Sequence, residues 1–433
     1  MNTSTSAGTP VTDKRMNSEP VRSAPPKGAT TAMALVALMW FAYFLNYCDR
    51  QAVFAMFPSL KASLSMSDHQ LGLVGAVFLW VYAIGCPISG YLGDRFSKRL
   101  LVVLSLVVWS LVTIGTGLVA SGAALLAMRA AMGVSESLYM SSAVALTAGA
   151  YPAARRSRAV SMLMTGQIAG TVAGSWFGGW MADRGQWREA FFALGAVGVL
   201  YALPYFAFLR RVKEPQADKV ATTAGITFSA LTRSRTFLLL CLVFPVFVFG
   251  IWLLYGWLPA FLHGKFHLNQ ADAAFNATVF LQTATFVGVI GGGMIADALY
   301  HRTKAARFWL MVCGLMLSAP CIHALGNSDT LLVTRIAATG FGLFSGLFIA
   351  NIFPATFDII SSTARATAVG MLNFFGAITS GFATLFGGMW KQTLGIDRML
   401  SITALAYLVA GAALIIGIRT WFPRDLAQTQ VSS

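Results

Sequence analysis

GYLGDRFSKR, at residues 90–99, is the stretch that decides the fold, because it returns 203 residues later as GMIADALYHR at residues 293–302. Three positions keep their residue type: Gly90 with Gly293, Asp94 with Asp297, and Arg99 with Arg302. Both copies are short polar junctions between two apolar runs. This repetition predicts a chain built from two related halves.

Two further matches keep the same order along the chain. LLAMRAAMG (125–133) resembles LLVTRIAAT (331–339) at an offset of 206, and AVSML (159–163) returns as AVGML (368–372) at an offset of 209. Chance matches would not stay in order, whereas small loop insertions between duplicated halves make the offset grow steadily. The repeat therefore covers most of each half.

The composition identifies the class of protein. The chain is 57% hydrophobic and only 11% charged, against about 25% charged residues in a soluble domain. Apolar segments long enough to cross about 30 Å of hydrocarbon as helices begin near residues 30, 70, 100, 123, 159 and 189, and again near 236, 271, 307, 329, 366 and 398. This pattern predicts an all-α polytopic membrane protein with twelve transmembrane helices in two groups of six, and it excludes a soluble enzyme.

The charge distribution predicts the orientation. With the N-terminus inside, cytoplasmic segments carry 22 of the 31 Lys and Arg residues and extracytoplasmic loops carry 6. The positive-inside rule favours that orientation, so we expect both termini in the cytoplasm and the protein in the inner membrane. Because the charged residues lie between apolar runs, the net charge of +15 indicates membrane topology, and we expect no nucleic-acid partner.

Changes in composition along the chain predict its organisation. We expect a disordered cytoplasmic tail over residues 1–28, a six-helix bundle over 29–210, and a polar cytoplasmic central loop over 211–235. A second six-helix bundle follows over 236–421, with a cytoplasmic tail over 422–433. Within the first bundle, the small residues of GQIAGTVAGSWFGG (166–179) predict a close contact between helices.

The sequence predicts no cofactor. The five cysteines are scattered through apolar segments without metal-ligand spacing, and no GxxxxGK[ST] nucleotide-binding loop is present. Two parallel repeats with a site between them are typical of secondary transporters, so transport would be driven by an ion or substrate gradient. Topology alone does not distinguish a transporter from a channel, although nothing in the sequence resembles a selectivity filter.

GYLGDRFSKR resembles the G-x-x-x-D-R-x-G-R/K-R/K signature of the major facilitator superfamily, and the resemblance extends over the chain from about residue 30. Ser97 stands where the signature usually has glycine. The resemblance implies a conformational latch in which an aspartate accepts hydrogen bonds at a nearby helix N-terminus, while basic residues, including Lys98, anchor the loop. An ordinary basic loop is the alternative. The latch residues would be Gly90, Asp94, Arg95, Arg99 and Asp297.

Two further stretches, NYCDR (46–50) and RAAMGVSES (129–137), resemble the anion:cation symporter family, and within it the galactonate-type carriers. The resemblance implies that Arg50 and Arg129 hold the substrate carboxylate or line its path. It also implies that Asp49 and Glu136 form the protonatable pair. Polar contacts to substrate would come from Tyr47, Tyr82, Gln167 and Asn373, with Tyr255 and Trp257 as weaker candidates.

The physical chemistry of the buried charges supports these roles. A charged side chain at the bilayer centre costs at least about 2.5–3.5 kcal/mol. Arg129 and Glu136 are seven residues apart and so project from one helical face. Desolvation favours a protonated Glu136, whereas a nearby arginine favours its carboxylate, so water or a substrate anion can gate its proton. A structural ion pair is the alternative for Arg129 and Glu136, and a buried acid without proton traffic for Asp49.

The sites with neutral side chains also have structural alternatives. Tyr47 and Tyr82 could be packing aromatics, and Gln167 and Asn373 could be hydrogen-bonding contacts between helices. Arg335 aligns with Arg129, but Gly342 stands where Glu136 has its counterpart. Proton coupling should therefore be concentrated in the N-terminal half.

The sequence thus predicts a monomeric proton-coupled symporter of a small organic anion (a sugar acid, an aromatic acid or another carboxylate) that works by alternating access in the lipid bilayer. The alternative is a spinster-like carrier of lysophospholipids or sphingoid phosphates, which GVSESLY (133–139) and WLPAFLHGKF (257–266) also resemble. A non-transporting sensor on the same fold is a third possibility, but the predicted tails are too short to fold alone.

Overall fold

The computed structural model describes residues 27–151, 153–212, 231–361 and 364–432. The described chain is α-helical in its regular structure. Its helices are α1 Lys27–Ala55, α2 Phe57–Ser63, α3 Asp68–Arg95, α4 Lys98–Gly117, α5 Gly122–Gly149, α6 Ala153–Ala182, α7 Trp187–Leu209, α8 Arg235–Phe266, α9 Gln270–Tyr300, α10 Ala306–Asn327, α11 Leu331–Ile359, α12 Arg365–Trp390, α13 Ile396–Thr420 and α14 Phe422–Ser432.

Ten of these helices are long and apolar enough to cross a membrane: α1, α3, α4 and α7 to α13. Helices α5 and α6 do not meet that criterion within the described residues, although they are 28 and 30 residues long. The chain is therefore a multi-pass helical membrane protein. The count of twelve spans and the cytoplasmic position of both termini stay predictions.

Short polar side chains begin several of the helices. Ser67 accepts a hydrogen bond from the backbone N–H of Gln70, whose side chain accepts one from the N–H of Ser67, which forms a capping box at the start of α3. Ser97 accepts a hydrogen bond from the N–H of Leu100 at the start of α4. The serine that replaces the usual signature glycine is thus the N-cap of the next helix.

The helices of each half pack in the same pattern. In the N-terminal half the main contacts join α1 to α6, α3 to α5, and α4 to α7. In the C-terminal half they join the corresponding pairs, α8 to α12, α9 to α11, and α10 to α13. The two halves detected by the sequence repeat therefore share one architecture.

Glycines allow α6 to lie directly on α1. A Cβ atom at Gly170 would meet Phe44 and Tyr47, and one at Gly174 would meet the backbone of Cys48. Gly166 and Gly178 contact α1 in the same way. The predicted close helix contact in residues 166–179 is confirmed, and it fixes the position of α1 within its bundle.

The two halves meet where α3 contacts α12 and where α6 contacts α9. At one end of the molecule the Asp68 carboxylate lies 3.1 Å from Lys391 Nζ, and the Asp183 carboxylate accepts hydrogen bonds from the first two N–H groups of α9. Further along α3, Trp80 Nε1 donates to the carbonyl of Ile378. Beyond it, Ile88 and Tyr91 are more than half exposed, so the described contacts between the halves are concentrated at one end.

The predicted domain boundaries stay predictions, since residues 1–26 and 213–230, which cover most of the predicted N-terminal tail and central loop, lie outside the described residues. The predicted C-terminal tail contains α14. Asp425 of α14 accepts hydrogen bonds from Ser234 Oγ and the N–H of Thr236 at the start of α8. These contacts and the burial of Phe422 hold α14 against the C-terminal half.

Candidate functional site

Asp49 and Arg50 lie inside helix α1, which continues to Ala55. They are only 2% and 5% exposed. The two charges are therefore inside the helix, away from its ends, and each needs a partner within the protein.

Arg50 forms a buried ion pair with Glu136 of α5. Its Nη2 and Nε atoms lie 2.6 and 3.2 Å from Glu136 Oε2, and Glu136 is 1% exposed. Arg50 also donates to Asn46 Oδ1 at 3.3 Å and to the Tyr47 hydroxyl at 3.5 Å. Glu136 thus takes its ion-pair partner from α1, although its own helix carries Arg129 two turns away.

Arg129 is 1% exposed and turns towards α3. Its Nε donates to the carbonyl of Val74 at 3.4 Å, and its Nη1 lies 3.1 Å from Met132 Sδ. Its Nη2 has no hydrogen-bond partner among the described residues. Arg129 is therefore a buried cation with a donor to spare.

Phe78 links the two arginines. The Cζ atoms of Arg50 and Arg129 each lie 4.7 Å from the centre of the Phe78 ring, which places both cations in favourable contact with its π-electrons. Trp252 of α8 packs against the cluster formed by Phe78, Leu79 and Met132. The C-terminal half thus supplies an apolar wall beside the charges.

Asp49 faces a different helix from Arg50. Its Oδ2 accepts a hydrogen bond from Thr113 Oγ1 of α4 at 3.2 Å, and its Oδ1 has no partner among the described residues. Asp49 interacts electrostatically with Glu136 and Arg129. The two acids therefore share one electrostatic environment.

Several buried polar atoms around these charges have no partner among the described residues. Asp49 Oδ1 and Glu136 Oε1 are acceptors, whereas Asn46 Nδ2, Trp109 Nε1 and Arg129 Nη2 are donors. Buried polar groups in native proteins are normally hydrogen-bonded. All five atoms belong to α1, α4 and α5 of the N-terminal half.

The predicted aromatic contacts lie beside Arg50. The Tyr82 ring centre is 4.9 Å and the Tyr47 ring centre 4.7 Å from Arg50 Cζ. Gln167 reaches this group through Tyr43, whose hydroxyl donates to Gln167 Oε1 at 3.2 Å and whose ring packs edge-on against Tyr47. Three predicted residues thus form one side of the site.

The C-terminal candidates are placed less closely. Asn373 of α12 is exposed, and the described contacts place it with none of the other predicted site residues. Tyr255 accepts a hydrogen bond from Gln282 at 2.8 Å. Trp257 donates to the carbonyl of Thr384 and packs on Phe57, so it belongs to the packing between the halves.

The counterpart of Arg129 in the second half has a neutral environment. Arg335 donates to Asn276 Oδ1 at 2.7 Å and lies over the Phe280 ring. At the position of Glu136, a Cβ on Gly342 would meet the carbonyl oxygen of Leu281. The close packing of α11 on α9 leaves no room there for an acid.

The predicted latch residues lie around the ends of α3 and α9. Gly90 and Asp94 are in α3, but the Asp94 side chain is outside the described set. Arg95 lies over the Tyr91 ring, and Arg99 donates to the carbonyls of Arg210 and Val212.

In the second copy, Asp297 is 78% exposed and lies 3.6 Å from Arg307, which makes a shorter 2.7 Å contact with Asp358. The Arg307–Asp358 pair was not predicted from the sequence. It joins the start of α10 to the end of α11, beside the second copy of the signature.

Sequence reasoning also missed four residues of the central site: Asn46, Phe78, Tyr43 and Thr113. All four are neutral, and three of them follow from helical spacing. Asn46 and Tyr43 precede Arg50 and Tyr47 by one turn, and Phe78 precedes Tyr82 by one turn. Thr113 is a polar residue in an apolar span, which is a weaker signal.

The described side chains include no group of three His, Cys, Asp or Glu residues that could hold a metal ion. The five cysteines are free. The described contacts at this site are hydrogen bonds, a buried ion pair and contacts between arginines and aromatic rings.

Known proteins resemble this chain in sequence. Residues 39–384 match the Major Facilitator Superfamily. A probable sulfoacetate transporter of Cupriavidus necator is 27% identical over 416 residues, which cover 89% of this chain and 92% of the relative. The D-galactonate transporter of Escherichia coli is 24% identical, covering 90% and 97%. The resemblance to carriers of organic anions is confirmed.

The resemblance to spinster-like proteins is confirmed as well. Human protein spinster homolog 1 is 28% identical over 308 residues, which cover 66% of this chain and 58% of that protein. A solved bacterial homologue of the human lysosomal transporter spinster, in an inward-facing and unoccupied conformation, superimposes with a TM-score of 0.80. It is 21% identical and the match covers 91% of this chain and 98% of the homologue, so it supports the fold.

Proposed function

The chain belongs to the Major Facilitator Superfamily, whose members are membrane transporters and not enzymes, and from this premise we propose that it is a proton-coupled symporter of a small organic anion. We assign the substrate anchors to Arg50 and Arg129 and the exchangeable protons to Asp49 and Glu136. The protein would act as a monomer in the inner membrane by alternating access.

The observation that carries the proposal is the buried ion pair between Arg50 and Glu136, at 2.6 Å. Removing the charge of one partner of a buried pair leaves the other uncompensated, which costs about 3–5 kcal/mol. A proton on Glu136 would therefore leave Arg50 without a counter-charge. A substrate carboxylate can replace it, so binding of the proton and of the anion support each other.

The charges of the site also suggest a stoichiometry. With both acids ionised, Asp49 and Glu136 balance Arg50 and Arg129, and the net charge is zero. A monovalent anion then enters with one proton if the site is to stay neutral, and a divalent anion with two. Because uncompensated charge is costly in a low dielectric, we expect the proton count to follow the substrate charge.

The surrounding residues suit an anion with hydroxyl groups or an aromatic ring. Arg129 Nη2 is an unused donor beside Arg50, and an arginine fork matches the planar shape of a carboxylate. Tyr47 and Tyr82 flank Arg50, and Gln167 adds an amide behind Tyr43. We assign Asn373 to a conformation in which α12 has moved closer to α3.

The contacts between the halves support alternating access. In the predicted orientation, the end closed by Asp68 and Asp183 faces away from the cytoplasm, so this conformation is inward-facing. The latch residues Gly90, Asp94, Arg95, Arg99 and Asp297 lie at the opposite end of α3 and α9, where they would close the cytoplasmic side in the outward-facing state.

Uptake by purified protein in proteoliposomes tests the proposal. A panel of radiolabelled sugar acids, aromatic acids and dicarboxylates is offered with an acidic exterior, and again without a pH gradient. We expect at least one anion to accumulate only when the gradient is present. Uptake that is indifferent to the gradient for every transported anion would rule out proton coupling.

A spinster-like lipid carrier is the second candidate, favoured by the 28% identity to human protein spinster homolog 1. A phosphate headgroup would suit Arg50 and Arg129 as well as a carboxylate does. Direct uptake assays with each class of substrate separate the two candidates. If labelled lysophospholipid is transported and no hydrophilic acid is, the lipid function holds and the sugar-acid function does not.

A further inference from the structure

Thr113 of α4 lies beside Asp49 and makes two hydrogen-bond contacts through one hydroxyl group. Its Oγ1 is 3.2 Å from Asp49 Oδ2 and 2.9 Å from the carbonyl oxygen of Trp109 in the preceding turn. Thr113 is fully buried. Among the described residues, Thr113 is the side chain that hydrogen-bonds to the Asp49 carboxyl group.

A hydroxyl group carries a single hydrogen, so Thr113 cannot donate to both oxygens at once. Both contacts are satisfied when Asp49 is protonated, because the acid then donates to Thr113 Oγ1 and Thr113 donates to the Trp109 carbonyl. When Asp49 is ionised, the same hydroxyl turns its hydrogen to Oδ2. The Trp109 carbonyl still has the backbone hydrogen bond of its helix.

We propose that Thr113 is a positioning residue for proton transfer, a hydroxyl that reverses its direction so that Asp49 keeps a hydrogen bond in both protonation states. This inference rests on the proposed function, since it concerns the proton that Asp49 would carry. It extends the coupling site to α4, a helix to which neither the sequence motifs nor the family resemblance assigns a coupling role.

Other groups face Asp49 from the helices around it. Glu136 and Arg129 approach from α5, Cys48 is its chain neighbour, and Arg50 follows it on α1 and is engaged with Glu136. Besides these charged groups and the burial of the site, Asp49 has the Thr113 hydroxyl as its direct hydrogen-bond partner among the described residues.

The direction of the effect follows from hydrogen-bond strengths. A hydrogen bond to a carboxylate is stronger than one between neutral groups, so loss of the hydroxyl harms ionised Asp49 more than protonated Asp49. Thr113→Val keeps the shape of the side chain and removes the hydroxyl. It should therefore slow proton release, and a more alkaline interior should restore it.

The test measures uptake into proteoliposomes at a fixed acidic exterior while the internal pH is varied. Thr113→Ser keeps the hydroxyl. Thr116→Val is the matched control, because Thr116 is buried one turn along α4 and its hydroxyl, among the described contacts, donates to the Val112 carbonyl. We expect Thr113→Val to lower uptake about 5-fold at neutral internal pH, which is the difference between a charge-assisted and a neutral hydrogen bond, and to recover as the interior is made alkaline.

Thr113→Ser and Thr116→Val should follow the wild type at every pH. Exchange of labelled for unlabelled anion at equal pH needs no net proton release, so Thr113→Val should exchange at close to the wild-type rate, because valine keeps the branching of threonine at Cβ. This measurement also shows that the variant is folded.

A wild-type internal pH profile in Thr113→Val would overturn the inference, and so would equal losses in Thr113→Ser or Thr116→Val. Loss of exchange together with uptake, without recovery at alkaline pH, would assign Thr113 to packing. If the wild type itself ignores the pH gradient, the proposed function has failed, and that outcome is seen before any variant is compared.

Discussion

The two halves of the molecule have the same helix packing but different chemistry. In the N-terminal half, α1 and α5 bury two acids and two arginines, of which Arg50 and Glu136 form an ion pair. In the C-terminal half, α8 carries no charged residue between Arg235 and His263, and Arg335 of α11 is paired with a neutral amide. The shared architecture therefore does not require the charges, which implies that they were kept in one half for function.

Gly342 shows how the second half uses the same position differently. At this counterpart of Glu136, the backbone of α11 lies against the carbonyl of Leu281 in α9. Close contact between helices stabilises membrane bundles through van der Waals packing. The second half thus has packing where the first half has an acid.

The largest effect is expected from Arg50→Gln. It removes two hydrogen bonds to Glu136 and the cation that would hold the substrate, so we expect anion uptake to fall at least about 100-fold, since each charged hydrogen bond contributes about 1.5–3 kcal/mol. Glu136 would also be left buried and unpaired, lowering the free energy of unfolding by about 3–5 kcal/mol. Proteoliposome uptake and thermal unfolding in detergent measure the two effects.

The double variant Arg50→Gln/Glu136→Gln separates the effects. Neutralising both partners removes the unpaired charge, so we expect stability to return towards the wild type while uptake stays lost. Normal uptake in the double variant would contradict the assignment of Arg50 as a substrate anchor.

The sequence predicted two features of this comparison, the repeated architecture and the buried charged residues. The repeat of GYLGDRFSKR predicted two matching bundles, and the expense of buried charge singled out Asp49, Arg50, Arg129 and Glu136. It could not predict which acid meets which arginine. The seven-residue spacing puts Arg129 and Glu136 on one face of α5, but the packing of α1 and α3 against that face decides the pairing.

The sequence also could not predict which neutral residues contact the buried charges. Phe78 contacts two arginines and Thr113 contacts Asp49. Helical spacing places Phe78 on the same face as Tyr82, but the residue type of a phenylalanine or a threonine in a span does not show that it contacts a charge. The position of Asn373 in the chain matches the expected site, but its side chain is exposed in this conformation, and the described contacts place it with none of the other predicted site residues.

A smaller effect is expected from Asp183→Asn, which weakens a contact between the halves without touching the charged site. The Asp183 carboxylate accepts hydrogen bonds from Gln270 N at 2.7 Å and Ala271 N at 2.9 Å at the start of α9. Loss of a charged cap costs about 1 kcal/mol. This cost would shift the equilibrium between the conformation in which this contact is formed and the one in which it is broken by about 5-fold. Cross-linking of cysteines introduced on either side of this contact measures the shift.

Asp272→Asn is the matched control. Asp272 is an exposed carboxylate in the first turn of the same helix, and its contacts are with Asn269 of its own cap. We expect no change in cross-linking for this variant. Equal shifts in both variants would mean that the charge at the α9 terminus matters and the contact between halves does not.

The smallest effect is expected from Arg335→Gln, which tests the comparison directly. Arg335 is partly buried and bonded to neutral Asn276, so its loss breaks one hydrogen bond of about 1 kcal/mol and no ion pair. We expect uptake within about twofold of wild type, because this bond is remote from the charged site. A loss as large as that of Arg50→Gln would show that the second half shares the anion chemistry.

The central claim is that Glu136 couples proton movement to anion movement. The most direct measurement compares Glu136→Gln with wild type in two assays on the same proteoliposomes: accumulation of anion driven by a pH gradient, and exchange of labelled for unlabelled anion without a gradient. We expect Glu136→Gln to lose accumulation and to retain exchange, because the neutral amide mimics a permanently protonated acid. Normal accumulation against the anion gradient in Glu136→Gln would contradict it.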